Sequence, residues 1–461
     1  MSNYETFLQD KLAMRAPSGI ASGFSLPASL FPHQSALTAW ALRRGRAAIF
    51  ADTGLGKSRM EVSWASAVSR HTNLPTIILT PVAVAAQTVA EGAALGIPVT
   101  HCRDGAEVRP GVNVTNYERL HRFDAAAFGG VVLDESSVIK HHDAKTFRIL
   151  TDAFAQTPFK LPATATPAPN DWTELGTHAE FLGICTRAEM LAEFFVHDGG
   201  DTQTWRLKGH AREMFWRWVV SWGALIRKPS DLGYDDGAYR LPPLHLHEHQ
   251  VEIDMPLNGM LFAMEAQSLS ERRDARRMSL EDRVRECAAL VNSEAGEPWV
   301  VWCDLNDESE ALTAAINGAI EIRGSHDTDT KEARLQAFAA GKARVLVSKP
   351  SICGWGLNWQ HAARIAFVGV TDSYEAFYQA VRRCWRFGQT RDVHVHVFAS
   401  KAEGAVVANL KRKEREAGAM ADALSAETAG SVAAEVTGSS RQSNPHQAGQ
   451  RVSVPAFLKA A

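Results

Sequence analysis

Ala51-Asp52-Thr53-Gly54-Leu55-Gly56-Lys57-Ser58 follows a short apolar run, Ala47-Ala48-Ile49-Phe50, which reads as a buried strand. After it, from Arg59 to about Ser69, Met60, Trp64, Ala67 and Val68 recur at helical spacing. Strand, glycine-bearing loop and helix are the context that a phosphate-binding loop requires. Two glycines let the backbone curl so that N–H groups point inward, and the helix N-terminus adds partial positive charge. In that geometry Thr53, Gly54, Leu55, Gly56, Lys57 and Ser58 cradle a nucleoside triphosphate. Lys57 reaches the terminal phosphates, and the Ser58 hydroxyl takes a place on Mg²⁺. The usual pattern opens on glycine; this chain has Ala51 there.

Further apolar runs alternate with helical stretches: Thr76-Ile77-Ile78-Leu79-Thr80, Val112-Asn113-Val114-Thr115, Val131-Val132-Leu133 and Phe159-Lys160-Leu161-Pro162. That alternation predicts an α/β fold with a mostly parallel sheet covered on both faces. The third run ends in Asp134-Glu135-Ser136-Ser137. Two carboxylates just past a buried strand are costly unless they serve a cation or a proton. Beside a phosphate loop, Asp134 is expected to hold Mg²⁺ and Glu135 to orient or deprotonate the attacking water. Upstream, Leu30-Phe31-Pro32-His33-Gln34 opens a helix. Gln34 either reads the adenine edge, since an amide donates and accepts at once, or simply starts the helix.

A second series of runs, Trp299-Val300-Val301-Trp302-Cys303, Ile320-Glu321-Ile322, Val345-Leu346-Val347 and Ile365-Ala366-Phe367-Val368, predicts a second parallel sheet with no phosphate loop of its own. The glycines of Gly354-Trp355-Gly356-Leu357-Asn358 suit close approach to a phosphate of ATP or of a nucleic-acid strand, and Gly356 is assigned to the nucleotide site. In Gln379-Ala380-Val381-Arg382-Arg383-Cys384-Trp385-Arg386-Phe387-Gly388-Gln389, a helical reading puts Arg383 and Arg386 on one face. Two guanidiniums presented across a cleft stabilise charge on a transferred γ-phosphoryl.

In order along the chain, Gln34, the Gly-Leu-Gly-Lys-Ser loop, Thr80-Pro81, Thr115-Asn116-Tyr117-Glu118, Asp134-Glu135-Ser136-Ser137, Thr164-Ala165-Thr166-Pro167 and the arginine stretch resemble superfamily-two helicases. Among these the set looks most like the Swi/Snf-type ATP-dependent DNA translocases. The compact form, including Arg227-Lys228-Pro229-Ser230-Asp231-Leu232-Gly233, is similar to helicase-like proteins of bacteriophages and prophages. The resemblance implies two RecA-like lobes with ATP and Mg²⁺ in the cleft, Arg383 and Arg386 as arginine fingers, and nucleic acid, foremost duplex DNA, crossing both lobes. Phage or host replication and repair proteins are partners it suggests. This sequence departs from the pattern at Arg382, where an acidic residue is usual, at Ser136-Ser137 in place of Ala-His, and at Ala165 in place of glycine.

The expected organisation is a lead-in over 1–29, a first lobe over 30–240 with a helical insertion at about 171–237, and a second lobe over 241–400 with a charged helical insertion at about 257–293. A C-terminal helix and weakly ordered tail occupy 401–461. Three side readings accompany this plan. Trp205, Phe215, Trp216, Trp218 and Trp222 either pack a core or stack on bases, with core packing favoured by their spacing. His245, His247 and His249 share one strand face, read as solvated rather than metal-binding. Arg272, Arg273, Arg276, Arg277, Arg283 and Arg285, interleaved with acids, read as a solvent-facing surface first and a phosphate-contacting one second. The last apolar residues, Val452 to Leu458, dock on a partner or on the body.

At 461 residues the chain can bury two or three cores. A hydrophobic content of 45%, a charged content of 22% and a net charge of −3 describe an ordinary soluble protein with no global basic signature; a binding groove needs only local positive charge. Six scattered cysteines without a Cys-x-x-Cys pair speak against structural zinc and a disulfide framework, and fit a reducing cytosol. The acidic N-terminus does not resemble a signal peptide, and no stretch reaches the length of a membrane span, so the expected setting is cytoplasmic. Two other classes stay open beside the ATP-driven motor: an ATP-gated clamp on DNA with little translocation, and a switch that works without nucleic acid.

Overall fold

The computed structural model describes residues 18–81, 84–168, 171–198, 201–251, 277–353, 358–369 and 374–400, together with 412, 430 and 432–436. Its first half is built on six short strands, β1 (Ala48–Ala51), β2 (Thr76–Thr80), β3 (Val99–His101), β4 (Val112–Asn116), β5 (Gly130–Asp134) and β6 (Phe159–Thr164). The hairpin strands β7 (Phe195–Asp198) and β8 (Asp201–Leu207) follow, and then β9 (Gly223–Ile226). All but the hairpin join one parallel sheet in the order β3-β4-β2-β5-β6-β1-β9. Because helices cover both faces, residues such as Ile77, Ile78, Val131, Val132 and Leu161 are wholly buried whichever way they point.

The second half carries β10 (Leu244–Val251), β11 (Trp299–Cys303), β12 (Ala319–Ile322), β13 (Val345–Ser348), β14 (Arg364–Val368) and β15 (Val393–Ser400). They form a parallel sheet in the order β10-β15-β14-β11-β13-β12. Two α/β lobes, each on a parallel sheet flanked by helices, are the architecture the strand–helix alternation implied. No helix among the described residues is long and apolar enough to cross a membrane.

Four local expectations are corrected. The stretch 171–237, expected to be helical, also carries the β7–β8 hairpin and β9, and β9 extends the first sheet beside β1. Gly223 allows it, since a Cβ there would sit 3.0 Å from the Phe50 ring. The aromatic side chains of this stretch pack as expected: Phe215, Trp216 and Trp222 are buried in one core with Phe181 and Val219.

Arg283 is not on a solvent-facing surface. It lies on the helix Leu280–Ser293, is fully buried, and pairs with the equally buried Glu308 at 2.8 Å while its Nε donates to Ser279 Oγ at 2.9 Å. Glu308 Oε2 in turn accepts from the N–H groups of Asp304 and Leu305, which start the next helix. Val284, Cys287, Ala288 and Val291 pin this helix to the second sheet; residues 257–276 of the expected insertion lie outside the described residues.

The histidine face of β10 is only partly solvated. Parallel pairing with β15 stacks His245, His247 and His249 against His394, His396 and Phe398, with His247 Nε2 and His249 Nε2 each 2.9 Å from a neighbouring Nδ1. Leu246, Glu248 and Gln250 are the exposed ones. Finally, the tail is not all linker: Val432 and Val436 lie on a short helical turn, buried against the first core, and Arg44 pairs with Glu435. Val452 to Leu458 lie outside the described residues.

Two outcomes follow from the buried polar groups. Arg283→Ala strands the Glu308 carboxylate and is expected to cost about 3–5 kcal/mol by urea unfolding, whereas the double change Arg283→Met with Glu308→Leu recovers most of it. Burial, then His247, His249 and His394, holds His396 down to about 3, against 6.5 for a free imidazole. The unfolded chain therefore takes up a proton that the folded chain refuses, and stability falls as pH drops from 6.5 towards 3. His396→Gln should flatten that slope by about one proton in unfolding titrations.

Candidate functional site

The loop Asp52–Gly56 leaves the end of β1 and enters the helix Lys57–Thr72, whose N-cap is Gly56 with no side-chain cap. Gly54 and Gly56 have φ of +95° and +83°, values that side chains resist. Close approach adds a second reason for each. A Cβ on Gly56 would lie 2.2 Å from Gln34 Nε2, and one on Gly54 would lie 3.1 Å from Phe387 N. The helix therefore begins with its first N–H groups uncapped by any side chain, the arrangement that holds phosphate. Lys57 Nζ rests on Ala51 O at 2.9 Å, curled over the loop it is expected to serve.

Gln34 is buried with its amide on the loop. Nε2 donates to Leu55 O at 3.0 Å, and Oε1 accepts from Phe31 N–H at 3.1 Å. Around it stand His33, whose ring packs edge-on against Tyr239, and Phe31, which meets both Tyr239 and Phe387. Tyr239 and Phe387 stack at 4.6 Å. Neither was singled out in the sequence; Phe387 stands inside the arginine stretch, and nothing about Tyr239 marked it.

Asp134 and Glu135 end β5 on the same side of the sheet's edge as the loop. Glu135 has φ +52°, one of two non-glycine residues in the left-handed region among the described residues. Such strain persists only where the surroundings enforce it. Here Tyr117 Oη donates to Asp134 O at 2.7 Å, and Ser136 Oγ lies 3.0 Å from Nε2 of the buried His178. Burial holds His178 down to about 4. Burial, then the neighbouring Glu135, raises the Asp134 carboxyl, with Lys57 opposing.

A third carboxylate, Glu61, belongs to this cluster and was missed. It is buried on the helix Lys57–Thr72, four residues after Lys57 and so on the same face. Burial, then Asp134, raises it well above the carboxylate range. The mismatch of an acid at a core-facing helical position was the available signal. Among the described residues no group of three or more His, Cys, Asp or Glu side chains forms a metal cage. Carboxylates with a hydroxyl, Asp134 and Ser58, instead suit a hard cation whose other ligands are phosphate and water.

The arginines arrive from the second lobe, but not on one helix face. The helix Tyr374–Val381 stops before them, and Arg382 to Gly388 run through successive turns. Tertiary bonds pull the chain out of the helix: Arg383 O accepts from Trp359 N–H at 2.8 Å, and Trp385 Nε1 donates to Pro242 O at 2.7 Å. Arg383 is buried, its Nε on Gln379 O at 3.0 Å. Burial lowers it, against the pull of Glu135 and Asp134. Burial and then Arg383 bring Arg386 down to about 9. The two expected finger residues thus share one electrostatic neighbourhood with Glu135, the expected catalytic carboxylate, and Arg383 also with Asp134, the expected Mg²⁺ ligand. Arg382, noted in the sequence only as a departure, pairs with Asp52 of the loop at 3.0 Å. Gly356 lies outside the described residues.

Residues 282–388 match the family described as the helicase conserved C-terminal domain. The match ends on Gly388 and so includes the whole arginine turn, which bears out the helicase resemblance drawn from the motifs. Among solved structures, the Sulfolobus solfataricus SWI2/SNF2 ATPase core in complex with dsDNA is similar at 17% identity and a TM-score of 0.41. The similarity covers 82% of this chain and 89% of that one. No curated protein matches.

Gly56→Ala combines strain with a clash, whereas Gly96→Ala, at φ +69° with nothing within 4 Å, carries strain alone. Urea unfolding should show a loss of about 1–2 kcal/mol for Gly96→Ala and a larger loss for Gly56→Ala, with Gln34 displaced.

Proposed function

We propose that the chain is an ATP-dependent nucleic-acid motor that hydrolyses ATP to ADP and phosphate in the cleft between its lobes and acts on duplex DNA. One observation carries the reading: the arginine turn of the helicase C-terminal segment sits against the glycine loop and feels the Asp134–Glu135 carboxylates of the other lobe. The ordered motif set supports the substrate and the partner, and the six free thiols, five of them buried, fit the cytoplasm.

In this reading each residue has one task. The N–H groups of Gly54, Gly56, Lys57 and Ser58 hold the β- and γ-phosphates, and the Lys57 ammonium swings from Ala51 O onto them. Ser58 and Asp134 hold Mg²⁺, which supplies charge neutralisation on the phosphate oxygens. Glu135, fixed by its strained backbone, orients the attacking water and takes its proton. Arg383 and Arg386 stabilise charge on the transferred phosphoryl. Gln34, with Phe31, Tyr239 and Phe387, closes the base end of the site. Nucleic acid crossing both lobes favours their closed arrangement, and turnover releases it.

Steady-state ATPase rates without nucleic acid and with single-stranded, duplex and forked DNA and RNA test this reading. Duplex DNA is expected to stimulate most; stimulation by forks or single strands alone would turn the assignment towards strand separation. Lys57→Ala and Glu135→Gln should abolish turnover, and Arg383→Ala should lower it about 10³-fold. Normal turnover in Lys57→Ala would overturn the reading.

A further inference from the structure

Asp52 lies inside the glycine loop, one residue before Thr53, and is claimed by the second lobe. One carboxylate oxygen accepts from its own neighbour, Thr53 N–H, at 2.6 Å and from Tyr378 Oη at 3.0 Å. The other lies 3.0 Å from Arg382 Nη2. The same Nη2 donates to Thr53 O at 3.0 Å, and the guanidinium packs over the rings of Tyr378 and Trp385 at 5.5 and 5.2 Å. The Arg382 side chain is 5% exposed and that of Asp52 19%. Burial would raise the Asp52 carboxyl, but Arg382, Thr53 N–H, Lys57 and Tyr378 together hold it below its ordinary value, so both partners stay charged.

We propose that Asp52 and Arg382 form a positioning pair that sets the register of the arginine turn on the phosphate loop. This inference rests on the nucleotide-hydrolysing reading of the site. Arg382 is covalently joined to Arg383, and consecutive Cα atoms are about 3.8 Å apart, so anchoring one guanidinium on the loop fixes the backbone from which the next departs. The anchor is doubled on each side. Asp52 is held by Arg382 and Tyr378 from the second lobe, and the loop backbone at Thr53 O returns a bond to Arg382. Five residues further on, Phe387 closes against Gly54. The turn carrying Arg383 and Arg386 is thereby clamped at both ends to the loop that holds the phosphates. Neither member of the pair is asked to touch the reacting atoms. A misplacement of about 1 Å costs such a site on the order of 10²-fold in rate, which is the scale a register contact can control.

The test is a double-mutant cycle on the full chain with Asp52→Ala, Arg382→Ala and the double variant. Each single is expected to lower kcat for ATP hydrolysis by about tenfold or more with KM for ATP little changed, and the double to fall no lower than the worse single. Arg382→Lys should restore only part of the rate, since an ammonium cannot reproduce the planar fork. Additive losses, or a rise in KM with kcat intact, would overturn the proposal. Amide hydrogen exchange of the 51–58 peptide in nucleotide-free protein gives a readout independent of turnover. Exchange should speed up in both singles and no further in the double; unchanged exchange overturns the pairing. If the wild type fails to hydrolyse ATP with any nucleic acid, the motor reading falls, and the exchange result alone then decides whether the contact exists.

Discussion

Charges of both signs crowd one seam, Glu61, Asp134, Arg382 and Arg383 buried and the others partly so, and the rest of the molecule is arranged around that difficulty. Glu61, Asp134 and Glu135 come from the first lobe with Lys57 among them; Arg382, Arg383 and Arg386 come from the second. Gathering like charges in a low-dielectric setting is costly on each side, and bringing the two sides together repays only part of that cost. The residue of imbalance is visible in both directions: burial and neighbouring acids raise Asp134 and Glu61, while burial and neighbouring arginines lower Arg386. The arginines answer part of the carboxylates' charge, and in the proposed reading a polyphosphate with a divalent ion would answer the rest of both sets. The two sheets serve mainly to hold these sets rigidly enough that they cannot relax away from each other.

Each lobe supplies what the other lacks. The glycine loop and the Asp134–Glu135 turn stand at the ends of β1 and β5, which lie one strand apart in the first sheet with β6 between them. Among the described residues the second sheet shows no phosphate loop, and its contribution is a turn at the end of a helix, placed by Trp359, Pro242 and Gln360 rather than by helical geometry. A binding site assembled from two separately folded halves responds to anything that changes how they meet, the physical basis for coupling hydrolysis to a ligand that spans both.

Much of this was legible in the sequence because the signals are local. A loop between strand and helix needs its glycines within a few residues, and both prove to have positive φ. Alternating apolar runs give parallel strands wherever they occur. What failed depended on partners far along the chain. Arg283 looks solvated among its acidic neighbours, and only the fold brings Glu308 to it. The histidines of β10 look exposed until β15, about 150 residues later, lies down in parallel register. The helical reading of Arg383 and Arg386 follows from spacing, and tertiary hydrogen bonds override it. The strand at Gly223–Ile226 was hidden in an aromatic stretch because four residues are too few to establish a period.

Two of the departures from the family pattern, Arg382 and Ser136, fall on contacts that tie parts of the site together. Arg382 replaces an expected acid and answers Asp52 on the loop, a charge pair 330 residues apart in sequence that ties the lobes directly. Ser136 stands where alanine is usual, and its hydroxyl engages His178, which the chain keeps neutral by burying it behind Phe50. Ser137 Oγ is buried with no hydrogen-bond partner among the described residues, so of the two serine hydroxyls only that of Ser136 helps to anchor the turn, beside Tyr117 Oη on Asp134 O. Both side chains tie their turns to other parts of the fold, Arg382 to Asp52 and Ser136 to His178. In the proposed reading, a site tied in this way before substrate arrives has less reorganisation left to perform when the phosphoryl group moves, which is where electrostatic catalysis is most effective.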